Sequence, residues 1–175
     1  MILGFVVLGL VTLSRLVELP MAHANTRRLI AAGGHEVAPG HYPLIVALHA
    51  AWLAALWWLA PGQPINLLLL ALFGLVEVAR IWVVQTLGPR WTTRIIVVPG
   101  ETLVSRGPYK YLNHPNYSVV VAEIALLPLV FGLWRIAIIF SLLNAALLAI
   151  RIRAENRALS ACRSRSAGTP AHPAR

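Results

Sequence analysis

The chain has 175 residues, of which 58% are hydrophobic and 12% are charged, against about 25% charged residues in ordinary soluble domains. With a mean hydropathy of +0.72, this composition indicates a membrane protein and argues against a soluble enzyme. The net charge of +9 comes from clustered arginines, so we assign it to membrane orientation and lipid contact and exclude nucleic-acid binding. The single cysteine, Cys162, excludes an internal disulfide and a cysteine-built metal site.

Five stretches are long and apolar enough to be membrane-spanning helices, which need roughly 20 residues each. The first stretch is closed by Pro20, and the third is closed by Gly88 and Pro89. The fourth and fifth are almost fused, which predicts a tight helical hairpin with Gly132 near its turn. The predicted spans are residues 2–19, 42–60, 65–87, 117–133 and 134–150.

The basic residues predict the orientation of these spans. With five spans, the first connection, the third connection and the C-terminal tail share one face, and they hold twelve of the fifteen basic residues. The positive-inside rule makes that face cytoplasmic and puts the N-terminus outside the cell membrane. A cleavable signal peptide is disfavoured because no basic residue precedes the first apolar run. We expect residues 1–163 to form one membrane domain and residues 164–175 to be a disordered tail.

The third connection, residues 88–116, collects most of the polar chemistry. It reads GPRWTTRIIVVPGETLVSRGPYKYLNHPN, which is too long for a passive link between neighbouring spans. TRIIVV predicts a short extended piece, and Pro115 suits the first turn of the fourth helix, with His114 directly before it. Tyr109, Tyr111 and Tyr117 suit a pocket at headgroup level. An interfacial aromatic belt with an incidental histidine is the alternative interpretation.

Two motifs in this region carry a resemblance. The stretch LVSRGPYKYLNHPNY at 103–117, followed after the hairpin by RIRAENRAL at 151–159, resembles the isoprenylcysteine carboxyl methyltransferase family. Within it the chain looks most like a short bacterial branch associated with O-methylation of alkylpyrones and alkylresorcinols. The resemblance implies an all-α integral membrane methyltransferase with five transmembrane helices, a C-terminal helical hairpin and a cytoplasm-facing pocket for S-adenosylmethionine. It also implies a lipid-like substrate that enters between helices, and an association with a type III polyketide synthase.

The resemblance also implies roles for individual residues. His114, Pro115 and Tyr117 match the family's His-Pro-x-Tyr core. The residues implied to bind the cofactor are Leu103, Val104, Tyr109, His114, Pro115, Tyr117 and Glu155.

Three positions depart from the family pattern. Asn113 stands where the family has arginine, Val119 where it has glycine, and Asn156 where it has a second glutamate. Without that arginine, a clamp for a carboxylate substrate is weakened. The departures therefore suggest an acceptor other than a prenylcysteine carboxylate.

Methyl transfer from a sulfonium requires alignment of the donor and acceptor and exclusion of water, and aromatic faces stabilise the cation. The cofactor's ammonium could pair with Glu155, and its carboxylate with Arg151 or Arg153, the nearest arginines; the alternative interpretation of either arginine is an anchor at the membrane interface. A hydroxyl acceptor must also lose a proton, for which His114 and Glu123 are the candidate bases, although an acidic hydroxypyrone needs little help. Glu123 and Arg151 are therefore the candidate catalytic residues.

Other polar residues inside the predicted spans are interpreted as structural. Glu77 and Arg80 are three residues apart on one helix, as are Arg15 and Glu18 on another, so the two charges of each pair are expected to neutralise each other within the bundle. Contact with a polar group of the substrate is the alternative role for both pairs. His49 is expected to bond a neighbouring helix. The histidines are too irregularly spaced to predict a metal site.

Two other functions compete with a methyltransferase. Sterol and steroid reductases have a distantly similar C-terminal hairpin, which makes an NADPH-dependent membrane reductase the alternative enzyme. A non-enzymatic membrane protein with a basic, lipid-binding tail is the third possibility.

Overall fold

The computed structural model describes residues 2–102 and 104–167, with side chains up to Glu155 and at Arg157. The fold is almost entirely helical. Short 3₁₀ turns and one pair of two-residue strands lie in the connections. The five helices are α1 (Ile2–Ala31), α2 (Tyr42–Leu59), α3 (Leu67–Leu87), α4 (Pro115–Val130) and α5 (Trp134–Ala167).

Four of these helices are long and apolar enough to cross a membrane, namely α1, α2, α3 and α5. The fourth, α4, is a shorter apolar helix of 16 residues. Large apolar side chains cover the outer surface of the bundle: Trp58 is 86% exposed and Leu68 is 71% exposed. A soluble protein would not leave so much apolar surface in water. The chain is therefore an all-α, multi-pass membrane protein.

Two helices extend beyond their predicted spans, and the prediction that Pro20 closes the first of them is wrong. The first helix runs through Pro20 to Ala31, because a proline in a membrane helix removes a single hydrogen bond that its surroundings can compensate. The last helix continues past residue 150 to Ala167, because good helix formers such as alanine and arginine dominate this segment and no glycine or proline occurs before Gly168. The domain boundary at residue 163 stays a prediction, and residues 168–175 of the expected tail lie outside the described residues.

The predicted hairpin between α4 and α5 is confirmed. Gly132 has φ +69°, a conformation open to glycine at little cost. The turn is closed by bonds from Gly132 N to Leu129 O at 3.0 Å and from Leu133 N to Pro128 O at 2.9 Å. The turn lies against the hydrophobic core, whose fully buried side chains include Leu8, Leu56, Ile124, Leu127, Val130 and Phe131.

A small sheet joins the first and third connections. Strand β1 (His35–Glu36) pairs antiparallel with strand β2 (Ile96–Val97), which confirms the predicted extended piece. Beside it, Arg94 Nη1 donates to both carboxylate oxygens of Glu36 at 2.9 and 2.8 Å. The two connections therefore meet at one end of the bundle, as their shared positive charge predicted.

Gly107 fixes the third connection against α3. Its φ is +57°, and a Cβ there would lie 2.7 Å from Thr86 Oγ1. We expect Gly107→Ala to lower the free energy of unfolding by about 1–3 kcal/mol, because the residue would be strained and would clash. Thermal unfolding in detergent checks this, with Gly40→Ala as control, since a Cβ at Gly40 meets nothing within 4 Å. Equal stability of the two variants would contradict the prediction.

Candidate active site

A polar cleft of about 790 Å³ lies at the end of the bundle where the first and third connections meet. Its walls come from the ends of α1 and α3, strand β2, the start of α4 and the part of α5 that holds Arg151 and Glu155. Of the residues predicted to bind the cofactor, five line this cleft: Val104, Tyr109, His114, Tyr117 and Glu155. The structure thus brings together residues that are separated by up to 51 positions in sequence.

Hydrogen bonds connect three of the side chains in this wall. The Tyr117 hydroxyl donates to Glu155 Oε2 at 2.6 Å and accepts from Arg151 Nε at 2.9 Å. Arg151 also donates from Nη2 to the Thr93 carbonyl at 2.9 Å, so both ends of its guanidinium are held. Arg151 is only 8% exposed. Its side chain extends from α5 and is held against α4 and the third connection by these bonds.

His114 stands at the start of α4, as predicted, with Pro115 as the first helical residue. Its ring is stacked on that of Tyr117, with centroids 5.2 Å apart and an angle of 14° between the planes. Its Nδ1 lies 3.9 Å from Glu155 Oε2. The His-Pro-x-Tyr motif thus places an imidazole and a phenol beside the carboxylate of Glu155 in the cleft.

Tyr109 completes this wall as a neutral phenol. Burial, reinforced by the negative charge of Glu155, raises its pKa to about 12. A phenol that stays protonated can donate a hydrogen bond to a ligand and offers an uncharged aromatic face to a cation.

Two other residues predicted to bind the cofactor have different positions. Pro115 is fully buried, lines neither cavity and is the first residue of α4; its role in cofactor binding stays a prediction. Leu103 lies outside the described residues. Asn113, the residue in place of the family arginine, does line the cleft.

A second, largely apolar cavity of about 310 Å³ lies deeper among α1, α2, α4 and α5. Leu16, Leu19 and Val46 line it and are still 58%, 47% and 45% exposed, so the cavity opens sideways between α1 and α2. The two cavities adjoin, because five residues line both: Trp91, Thr92, Asn116, Tyr117 and Arg151.

Glu123 belongs to a cluster of five charged side chains at one wall of the apolar cavity, the charge cluster Arg15, Glu18, Glu77, Arg80 and Glu123. Arg15 Nη2 donates to Glu77 at 3.0 Å and to Glu123 at 3.1 Å. Arg80 donates to Glu18 at 2.7 Å and to Glu123 at 3.0 Å. The cluster thus contains three carboxyl groups against two guanidiniums.

This network corrects the predicted pairing within helices. Arg15 does contact Glu18, at 3.3 Å, but Glu77 and Arg80 make no ion pair with each other among the described residues. Each instead pairs across helices, because packing of α1, α3 and α4 brings opposite charges closer than the spacing along α3 does. Glu123 is only 5% exposed and joins the three helices.

Sequence reasoning missed several residues of the site. Trp91 lines both cavities, and its buried Nε1 has no hydrogen-bond partner among the described residues. Asn144, 3% exposed on α5, lines the apolar cavity. A polar residue inside an apolar span was the available signal for Asn144, whereas Trp91 gave none.

Fold and site together define a multi-pass membrane protein in which a polar cleft at the bundle end adjoins a largely apolar cavity. The model of the isoprenylcysteine carboxyl methyltransferase (ICMT) family matches residues 67–161, so the chain belongs to that family, a family of methyltransferases. It is also similar to a protein of Bacillus subtilis (strain 168) described as "Uncharacterized protein YpbQ", with 34% identity over 89% of this chain and 95% of that protein. No solved structure matches significantly, and neither match supports the reductase alternative.

Proposed function

We propose that this protein is an S-adenosylmethionine-dependent O-methyltransferase that acts on a lipophilic substrate at the membrane. The observation that carries the proposal is the shared wall of the two cavities, where Tyr117 and Arg151 face both. A water-soluble donor in the polar cleft and a lipophilic acceptor in the apolar cavity would meet there. Such alignment of two reactants is the main contribution that a protein makes to a methyl transfer.

The polar cleft fits S-adenosylmethionine. Its volume lies within the roughly 300–1,000 Å³ typical of small-molecule sites. Glu155 offers a carboxylate to the cofactor's ammonium, and Arg151 offers a guanidinium to its carboxylate. The unpartnered Nε1 of Trp91 is a buried donor that a ligand can satisfy. When bound, the cofactor supplies an electrophilic methyl group on a sulfonium, and the rings of Tyr109 and Tyr117 suit that cation.

The apolar cavity suits an acceptor with a hydrocarbon chain, which can enter through the opening between α1 and α2. The acceptor group is an alkylpyrone- or alkylresorcinol-type hydroxyl or a prenylcysteine-type carboxyl. A hydroxyl is favoured because both guanidiniums of the charge cluster are already bonded to its own carboxyl groups, so the cluster offers no free cation to a substrate carboxylate. The replacement of the family arginine by Asn113 favours the same choice.

The proposal includes an orientation. We propose five spans, with α4 completing the hairpin, the N-terminus outside and the polar cleft facing the cytoplasm, where S-adenosylmethionine is available. Arg27 and Arg28 in the last turns of α1 and the basic third connection support this through the positive-inside rule. The association with a type III polyketide synthase, which would supply the acceptor, rests on the family branch alone.

Ligand binding tests the donor half of the proposal. Protein purified in detergent is expected to retain radiolabelled S-adenosylmethionine and not NADPH. We expect Glu155→Gln to weaken that binding about 10- to 100-fold, because it removes a charged partner worth about 1.5–3 kcal/mol. Arg153→Gln on the same helix is the control, since Arg153 is exposed and lines neither cavity. Retention of NADPH in place of the methyl donor would refute the proposal.

A further inference from the structure

His49 lies on α2 in the wall of the apolar cavity, and one of its ring nitrogens is already engaged. Its Nδ1 lies 2.8 Å from the carbonyl oxygen of Ile45, one turn earlier. Because a carbonyl can only accept, Nδ1 carries the ring proton, and Nε2 of the neutral imidazole is a lone-pair acceptor. Within the described part of the chain, no residue hydrogen-bonds Nε2.

The two bases considered from the sequence are less suitably placed. Glu123 accepts hydrogen bonds from Arg15 and Arg80, so taking up a proton there would disrupt an ion-pair network. His114 lines only the polar cleft and is absent from the wall of the apolar cavity. His49 is therefore the basic group with a free acceptor atom on the acceptor's side of the site.

Charged groups from three other helices act on the His49 ring. Glu123 from α4 attracts a positive charge there, whereas Arg15 from α1 and Arg151 from α5 repel one, and burial also disfavours the charged ring. The imidazole is therefore neutral before the reaction, which leaves the Nε2 lone pair available. Glu123 is the group that would stabilise a positive charge formed on the ring during the reaction.

We propose that His49 is a catalytic residue that accepts the proton of the acceptor hydroxyl; this rests on the proposed function. As the oxygen forms its bond to the methyl carbon, the O–H bond breaks and the proton passes to Nε2. The bond between the methyl carbon and sulfur breaks with its electron pair remaining on sulfur. Positive charge thus moves from the sulfonium to the imidazolium, beside the charge cluster.

The test compares two acceptors of different acidity. A pentadecylresorcinol has a hydroxyl like that of tyrosine, with a pKa of about 10, whereas an undecyl hydroxypyrone is acidic and needs no base. In His49→Asn, the amide nitrogen can keep the bond to Ile45 O, but nothing replaces Nε2. We expect kcat/KM to fall about 100-fold or more with the resorcinol and to change little with the hydroxypyrone. His23→Asn is the matched control, because His23 is exposed and lines neither cavity.

A second readout needs no methyl donor. An alkyl nitrophenol bound in the apolar cavity shows its ionisation as a yellow phenolate band. We expect the unaltered protein and His23→Asn to bind this probe with a larger phenolate fraction than His49→Asn does.

Equal rate losses with both acceptors, no loss with either, or an unchanged phenolate band would overturn the role of His49 and leave the methyltransferase intact. Failure of the unaltered protein to bind adenosylhomocysteine would overturn the proposed function itself. If the unaltered protein binds it but methylates neither probe, a hydroxyl acceptor is excluded, and the role of His49 with it.

Discussion

Replacing Arg151 by methionine is expected to lower kcat/KM for methyl transfer about 1,000-fold while the protein remains inserted in the membrane. Arg151 lines both cavities and is held by Tyr117 and by the Thr93 carbonyl, so its charge is fixed where the proposed donor and acceptor would meet. Loss of one preorganised hydrogen-bond donor at a reacting centre typically costs about 100- to 1,000-fold. Here the Tyr117 hydroxyl loses its donor partner as well, which puts the expected loss at the upper end.

The measurement is methyl transfer from radiolabelled S-adenosylmethionine to a lipophilic acceptor, with the amount of inserted protein matched. Arg153→Met is the control, because Arg153 is exposed two residues further along α5 and lines neither cavity. If the two variants have the same kcat/KM, Arg151 has no role at the junction. Arg151→Lys is expected to recover only part of the activity, because an ammonium cannot reproduce the two-sided guanidinium contact with Tyr117 and Thr93.

The parts of the fold that follow from local chemistry were predictable from sequence. Hydropathy and length identify α2 and α3 to within two residues, and the proline after His114 marks the start of α4. Glycine explains the tight turn at Gly132, where a positive φ is needed. Pro20 misled the prediction because the usual rule for proline comes from soluble helices, whereas a membrane helix can continue through it.

The arrangement of the site could be predicted only in part. Motif resemblance identified Tyr109, His114, Tyr117 and Glu155, and all four line one cleft. The apolar cavity depends on how α1, α2 and α5 pack, and no sequence spacing reports that packing. His49 illustrates the limit, because a histidine in an apolar span is equally compatible with a structural hydrogen bond. Only the structure shows that its bond is to its own helix, that its other nitrogen has no hydrogen-bond partner among the described residues, and that the residue lines the apolar cavity.

The charge cluster carries the second large expected effect. Arg80 is 8% exposed and bonds Glu18 and Glu123, so Arg80→Met would leave both carboxylates short of a partner in a low-dielectric region. Breaking a buried ion pair by removing one partner costs about 3–5 kcal/mol. For a chain of this length, that corresponds to a fall in the melting temperature of roughly 6–20 °C. Thermal unfolding in detergent measures it.

The expected cause of the lower melting temperature of Arg80→Met is the loss of charge balance in the cluster rather than the loss of packing, and a double variant separates these two causes. Glu123→Gln keeps a carbonyl acceptor for Arg15 and Arg80 and removes one of three carboxyl groups that outnumber the two guanidiniums, so alone it should change the melting temperature little. Combined with Arg80→Met, it should recover a substantial part of the lost stability, because the uncompensated buried charge falls. Arg90→Met provides the exposed comparison: its pair with Glu101 lies at the surface, with side chains 36% and 33% exposed, where such pairs contribute about 0–1 kcal/mol. If Arg80→Met were no more destabilising than Arg90→Met, or if Glu123→Gln made Arg80→Met worse, the cluster would not be what holds α1, α3 and α4 together.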